Sequence, residues 1–208
     1  MERNYEPLPL RELGAHAGFR RPTQPQAARV GLESPALQVM TDLARVAPAT
    51  IRPRAPLAGA NQFMITRGVR LLLVVDDHED VLGVVTATDL LGERPMLVAT
   101  ARRQRRDELA VADVMTGAEQ VQVIALSEVE GARVGHVLET LRRGGRQHAL
   151  VVDHDLLPPA RPLGPPLERA MVRGIFSLSQ IARQLGVVLP AGGEVAHTFS
   201  EIEAALIK

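Results

Sequence analysis

A chain of 208 residues with 46% apolar side chains can bury a sizeable core, and its 24 basic and 24 acidic groups cancel to a net charge of zero. Neutrality removes the global field that draws proteins to nucleic acid or anionic membranes, and one Tyr, four Phe and no Trp leave few platforms for stacking single-stranded bases. The absence of cysteine excludes a disulfide framework, a thiolate metal site and a cysteine nucleophile, and it fits a reducing compartment, with the cytoplasm the default.

Residues 1–35 mix Pro7, Pro9, Pro22, Pro25 and Pro35 with scattered charge and no sustained period, which predicts a flexible arm. Glu2, Glu6 and Glu12 without an apolar run argue against a signal peptide, and the longest aliphatic run, Leu71 to Val75, is too short to span a bilayer. Leu57, Ala60 and Met64 mark a helical face that Gly68 stops. Leu71 to Val75 reads as a buried strand, Asp76 to Asp80 as a turn, Val81 to Val85 as a second strand, and a helix is expected to start near Thr86 to Asp89. The run Arg102-Arg103-Gln104-Arg105-Arg106 reads as a solvated connector helix. Val134, Val137, Leu138 and Leu141 then predict a helix ended by Gly144-Gly145, followed by a strand at Ala149 to Val152. A Pro-rich insertion at 156–169 predicts a long, mobile, exposed hairpin loop, with Asp153-His154-Asp155 in its turn. At the end, Val195, Phe199, Ile202 and Leu206 form an apolar stripe with a Ser200…Glu203 capping box.

The chain also repeats itself. Val39-Met40-Thr41 returns as Val114-Met115-Thr116, Val74-Val75-Asp76 as Val151-Val152-Asp153, and Gly83-Val84-Val85-Thr86 as Gly174-Ile175-Phe176-Ser177. Two copies are too few for an open solenoid, so they are expected to bury their sheets against each other as a closed pair.

Over residues 37–92 the segment containing Val39-Met40-Thr41, Leu71 to Asp76 and Gly83 to Leu91 resembles the cystathionine β-synthase (CBS) domain. The second copy, 111–186, is similar but has Gln180 where that motif has aspartate. The resemblance implies an α/β (α+β) fold of two tandem β-α-β-β-α repeats in pseudo-twofold symmetry. The organisation it suggests is an arm at 1–35, repeat one at 36–100, a basic connector at 101–110, repeat two at 111–189 and a terminal helix at 190–208. It implies clefts that bind AMP, ADP, ATP or S-adenosylmethionine as regulatory ligands, with no cofactor required, and a homodimer that signals to a further, unidentified effector protein.

The same resemblance places Thr86, Thr88 and Asp89 at a ligand. A carboxylate offers two acceptor oxygens to a vicinal diol, while a hydroxyl and free helix-start amides suit a phosphate. Arg70 is the expected basic group for the phosphate, and His148, Ser177 and Ser179 are assigned to a weaker second cleft. Thr86-x-x-Asp89 and Ser177-x-x-Gln180 are equally plausible as helix caps, and capping explains both copies. Asp76-Asp77-His78-Glu79-Asp80 has metal-ligand residue types, but a charged hairpin turn is the commoner meaning. His16, His136 and His197 have no evident partners. No phosphate-cradling loop, nucleophile elbow or zinc-protease motif is present, so the expected class is a binding module rather than an enzyme, with a ligand-free dimerisation or protein-interaction module as the alternative and neither nucleic acid nor membrane as partner.

Overall fold

The computed structural model describes residues 30–157, 167–187, 199–202 and 204. Expectations for most of the arm, the tip of the Pro-rich insertion and the flanks of the terminal helix fall outside them.

The first copy runs through a 3-10 turn (Ala36–Val39), β1 (Thr41–Asp42), β2 (Thr50–Ile51), α1 (Leu57–Arg67), β3 (Leu71–Val75), β4 (Val81–Thr86), α2 (Ala87–Leu91) and α3 (Arg94–Arg102). The second has α4 (Val111–Val114), β5 (Thr116–Gly117), β6 (Val123–Ala125), α5 (Leu126–Glu130), α6 (Val134–Arg143), β7 (His148–Leu157), β8 (Leu167–Ser177) and α7 (Leu178–Gln184). Helix α1 buries Leu57, Ala60 and Met64 and ends where Gly68 takes φ 65°, a left-handed conformation that lets its N–H reach the Ile65 and Met64 carbonyls. Helix α6 buries Val134, Val137, Leu138 and Leu141, the apolar positions of its sequence period.

These elements form two four-stranded sheets of identical plan, β2-β3-β4-β5 and β6-β7-β8-β1. Each contains a foreign strand: β1 of the first copy pairs antiparallel with β8, and β5 of the second pairs antiparallel with β4. The repeated Val-Met-Thr segments are therefore exchanged leaders. Ala36, Val39 and Met40 are buried among the second copy's α6, β7 and α7 residues, while Val111 and Val114 are buried among α1, β3 and β4.

Strand alternation assigns the two faces of each sheet. Leu72, Val74 and Val85 point to the helices of their own copy, whereas Leu71, Leu73, Val75 and Val84 meet Leu150, Val172 and Ile175 of the opposite sheet. The class is α+β, two tandem repeats packed through their sheets.

The exchange needs room, and two glycines supply it. A Cβ built on Gly174 would collide with the Met40 side chain, and one on Gly83 with the Thr116 carbonyl oxygen. Arg173 adds an ion pair to Asp42 that ties β1 to β8.

Several expectations change. Asp153, His154 and Asp155 are not in a turn; they lie within β7 opposite Met171, Ala170 and Arg169. Residues on both sides of the insertion continue the antiparallel ladder, so its ends belong to the strands, and Asp155 faces Arg169 as an opposite-charge cross-strand pair. Residues 30–35, expected in the flexible arm, lie on the second copy: Val134 and Gly135 donate backbone hydrogen bonds to Ser34 (2.9 Å) and Leu32 (2.9 Å), and Glu33 pairs with Arg133 at 2.7 Å. The arginine run is no single helix. Arg102 closes α3 and pairs with Asp113, Arg105 pairs with Asp107 at 2.7 Å, and Arg106 donates to the Leu90 carbonyl at 3.0 Å. Of the terminal stripe, Phe199 and Ile202 are buried against the second copy's core. No helix among the described residues is long and apolar enough to cross a membrane.

Replacing Gly174 by Ala should destabilise the protein by about 1 to 3 kcal/mol through overpacking on Met40, while Gly131→Ala, where a Cβ meets nothing within 4 Å, should stay within about 0.5 kcal/mol of wild type. Equilibrium urea unfolding of both variants measures the difference.

Candidate functional site

The two sheets diverge where β4 runs into α2, and the gap between them is a cleft of about 310 Å³. One wall comes from the first copy: Leu71, Val84, Thr86, Thr88 and Asp89. The other comes from the second: Thr116, Gln120, Val121, Gln122, the stretch Gly145 to His148, and Leu150.

At the turn from β4 into α2 the capping box forms in full. Asp89 N–H donates to Thr86 Oγ1 (3.2 Å), and Asp89 Oδ2 accepts from Thr86 N–H (2.8 Å) and Thr86 Oγ1–H (2.7 Å). The other carboxylate oxygen, Oδ1, accepts from Arg94 at 3.3 Å. Arg94 also donates to the Met115 carbonyl (2.9 Å) and to Thr116 Oγ1 (3.5 Å), so it joins Asp89 to the strand lent by the second copy. The helix-start amides expected to face a phosphate are largely committed: Ala87 N–H donates to the Arg70 carbonyl at 2.9 Å, and the amides of Thr86 and Asp89 close the box. With only five residues, α2 offers little else.

The second copy repeats the turn differently. Leu178 N–H donates to the Gln147 carbonyl at 2.8 Å, which makes Gln147 the counterpart of Arg70. Ser177 and Ser179 share a hydrogen bond of 3.1 Å and do not line the Asp89 cleft. Gln180 Oε1 accepts directly from Thr41 Oγ1 at 3.0 Å, where the first copy reaches its lent strand through Arg94.

Thr86, Thr88 and Asp89 thus come together in one cleft, but His148, expected with Ser177 and Ser179, lines that same cleft. The reason is the pleat: His148 shares a face of β7 with Leu150, which points at the opposite sheet, and so it emerges beside Leu71. Arg70 is exposed and does not line the cleft, although its charge reaches His148. Sequence reasoning missed Thr116, Gln120, Gln122 and Arg146. Only Thr116 carried a signal, as part of a repeated landmark. Arg146 is half-buried and has no ion-pair partner among the described residues.

Burial first, and then the Arg70 guanidinium, hold the His148 imidazole down to about 4 against the opposing pull of Asp89, so it is neutral at physiological pH. The Asp76 to Asp80 segment is a turn closed on itself: Asp76 Oδ1 accepts from the amides of His78 and Asp80, both at 2.9 Å, and the Asp80 amide is the largest cause holding the Asp76 carboxyl below its usual range. Among the described residues no three His, Cys, Asp or Glu side chains are grouped to hold a metal ion.

Comparison with known proteins agrees with this architecture. Residues 38–95 match the CBS domain. Among solved structures, an uncharacterized conserved protein from Pyrococcus horikoshii aligns with a TM-score of 0.51 at 20% identity, covering 78% of this chain and 100% of that one. The CBS domain pair of protein MJ0100 in complex with 5′-methylthioadenosine and S-adenosyl-L-methionine aligns at 21% identity over 71% of this chain and 97% of that one, with a TM-score of 0.44. CBSX2 in complex with AMP aligns at 19% identity over 72% and 94%, with a TM-score of 0.45. No curated protein matches. Residues 38–95 are thus similar to the CBS domain, and the second copy repeats the same strand plan.

The depressed His148 value sets a pH dependence. The unfolded imidazole takes a proton near 6.5 and the folded one only near 4, so the unfolded state binds more protons between these values and stability falls as pH drops from 6.5 through 4. His148→Gln should flatten that part of the stability curve, as read by urea unfolding at pH steps between 7 and 4.

Proposed function

We propose that this chain is a regulatory module that holds an adenosine-type ligand, AMP, ADP, ATP or S-adenosylmethionine, in the cleft between its two copies and passes the occupied state to a partner protein. The observation that carries this reading is the division of labour between the walls of the cleft: the carboxylate and hydroxyls of Asp89, Thr86 and Thr88 stand opposite amides, a histidine and an unpaired arginine. A vicinal diol takes the lone-pair capacity left on Asp89 Oδ1. Leu71, Val84, Val121 and Leu150 give a base an apolar bed, and Gln120 and Gln122 carry both donors and acceptors for its edge. Phosphate charge falls to Arg146 in the cleft and to Arg70 at its rim, rather than to the committed amides of α2. A volume of about 310 Å³ suits a ligand of nucleoside size. Nothing in this reading requires a catalytic group, so the module is regulatory.

A ligand-free interaction module is the second reading, and one observation favours it: the capping box already gives Asp89 a structural task. Both readings include a homodimer. Leu91, Met96 and Leu97 are 64%, 57% and 66% exposed on α2 and α3, an apolar face that a second copy would cover.

Calorimetric titration with AMP, ADP, ATP and S-adenosylmethionine should give binding to the wild type for at least one of the four. Loss of a charge-assisted hydrogen bond in Asp89→Ala should weaken it by about ten- to 150-fold, whereas Gln180→Ala should leave it nearly unchanged. Absence of binding to all four favours the interaction module.

A further inference from the structure

Arg94 stands outside the cleft walls, yet it is bound to two residues that line them, Asp89 and Thr116, and to the adjacent Met115 carbonyl. Its guanidinium donates to Asp89 Oδ1 (3.3 Å), to the Met115 carbonyl (2.9 Å) and to Thr116 Oγ1 (3.5 Å). The first belongs to one copy; Thr116 belongs to the strand lent by the other, and Met115 directly precedes it. Arg94 is 43% exposed and Asp89 18%, so the pair sits at the cleft's edge, where an exposed ion pair is a weak tie that a competing donor can displace.

Asp89 Oδ2 is committed to Thr86, so Oδ1 is the oxygen with capacity left for a ligand, and Arg94 already occupies part of it. The pseudo-equivalent position has no such device, because Gln180 bonds Thr41 directly at 3.0 Å. We propose that Arg94 is a ligand-displaceable latch: a vicinal diol arriving at Asp89 Oδ1 displaces the guanidinium, which then turns to an anionic group on the same ligand, so that the cleft selects molecules carrying both a diol and a negative charge. This inference rests on the reading of the cleft as an adenosine-ligand site and adds the residue that chooses within that class. Displacement also releases Met115 and Thr116, which makes the bond between the copies sensitive to occupancy.

The latch has opposite effects on neutral and charged ligands, and that separates it from a merely structural role. Titration of wild type and Arg94→Ala with adenosine and with AMP should show adenosine binding the variant about two- to fivefold more tightly, the range expected when an exposed ion pair stops competing. The preference for AMP over adenosine should shrink by about tenfold, as a charge-assisted contact is lost. Arg94→Lys, which keeps the charge but not the fork, should retain most of the AMP preference while relaxing the hold on Met115 and Thr116, seen as faster amide exchange at β5. If Arg94→Ala binds adenosine no more tightly than wild type, or keeps the full AMP preference, the latch is wrong while the cleft stands. If the wild type binds neither probe, the latch is wrong; if it also binds none of ADP, ATP and S-adenosylmethionine, the cleft reading fails with it.

Discussion

Each copy lends its leading strand to the other's sheet, and a glycine in the receiving strand makes the loan sterically possible. At Gly174 the missing Cβ is the space that Met40 fills, and at Gly83 it is the space for the Thr116 carbonyl. Because β1 and β5 cross in opposite directions, the sheets are held face to face with Leu71, Leu73, Val84 and Leu150 between them. The cleft is a by-product of that arrangement. It opens where the inter-sheet core ends and β4 turns into α2, and it takes its walls from both copies, so neither half of the chain carries a complete site.

The two halves share a plan and differ in one linkage. In the second copy an amide, Gln180, reaches the lent strand directly. In the first, a carboxylate at the same place holds the lent strand through an arginine that is itself exposed. The direct bond has no charge to offer a ligand, while the bridged one places an anion, a cation and two hydroxyls within one neighbourhood. A pseudo-symmetric scaffold thereby carries an asymmetric chemistry, in which Asp89 caps a helix and remains partly available.

Much of the fold was legible in the sequence because its signals are local. The periodicity of Val134, Val137, Leu138 and Leu141, the aliphatic run Leu71 to Val75, and the stop at Gly68 each report the energetics of a few neighbouring residues. The repeated Val-Met-Thr announced two copies but not that these segments change places, since exchange depends on which glycine lies opposite in the folded sheet. Asp153 to Asp155 reads like a turn because it is polar, yet an antiparallel ladder accepts polar residues on exposed faces, and pairing with Arg169 to Met171 extends the strand. At the site, Thr86, Thr88 and Asp89 were visible as a motif. Gln120, Gln122 and Arg146 were not, because they are brought there by the packing of one sheet on another, and His148, grouped in the sequence with Ser177 and Ser179, lines the Asp89 cleft because its facing depends on the pleat.

The central claim is that one cleft, walled by both copies, holds the ligand on the Asp89 side. An amide-resolved NMR titration with AMP, ADP, ATP and S-adenosylmethionine in turn tests it directly. The account predicts that Thr86 to Asp89 and Gly145 to His148 shift together along one saturating curve while Ser177 to Gln180 stay in place. Shifts confined to Ser177 to Gln180, or no saturating shifts at all, would contradict it.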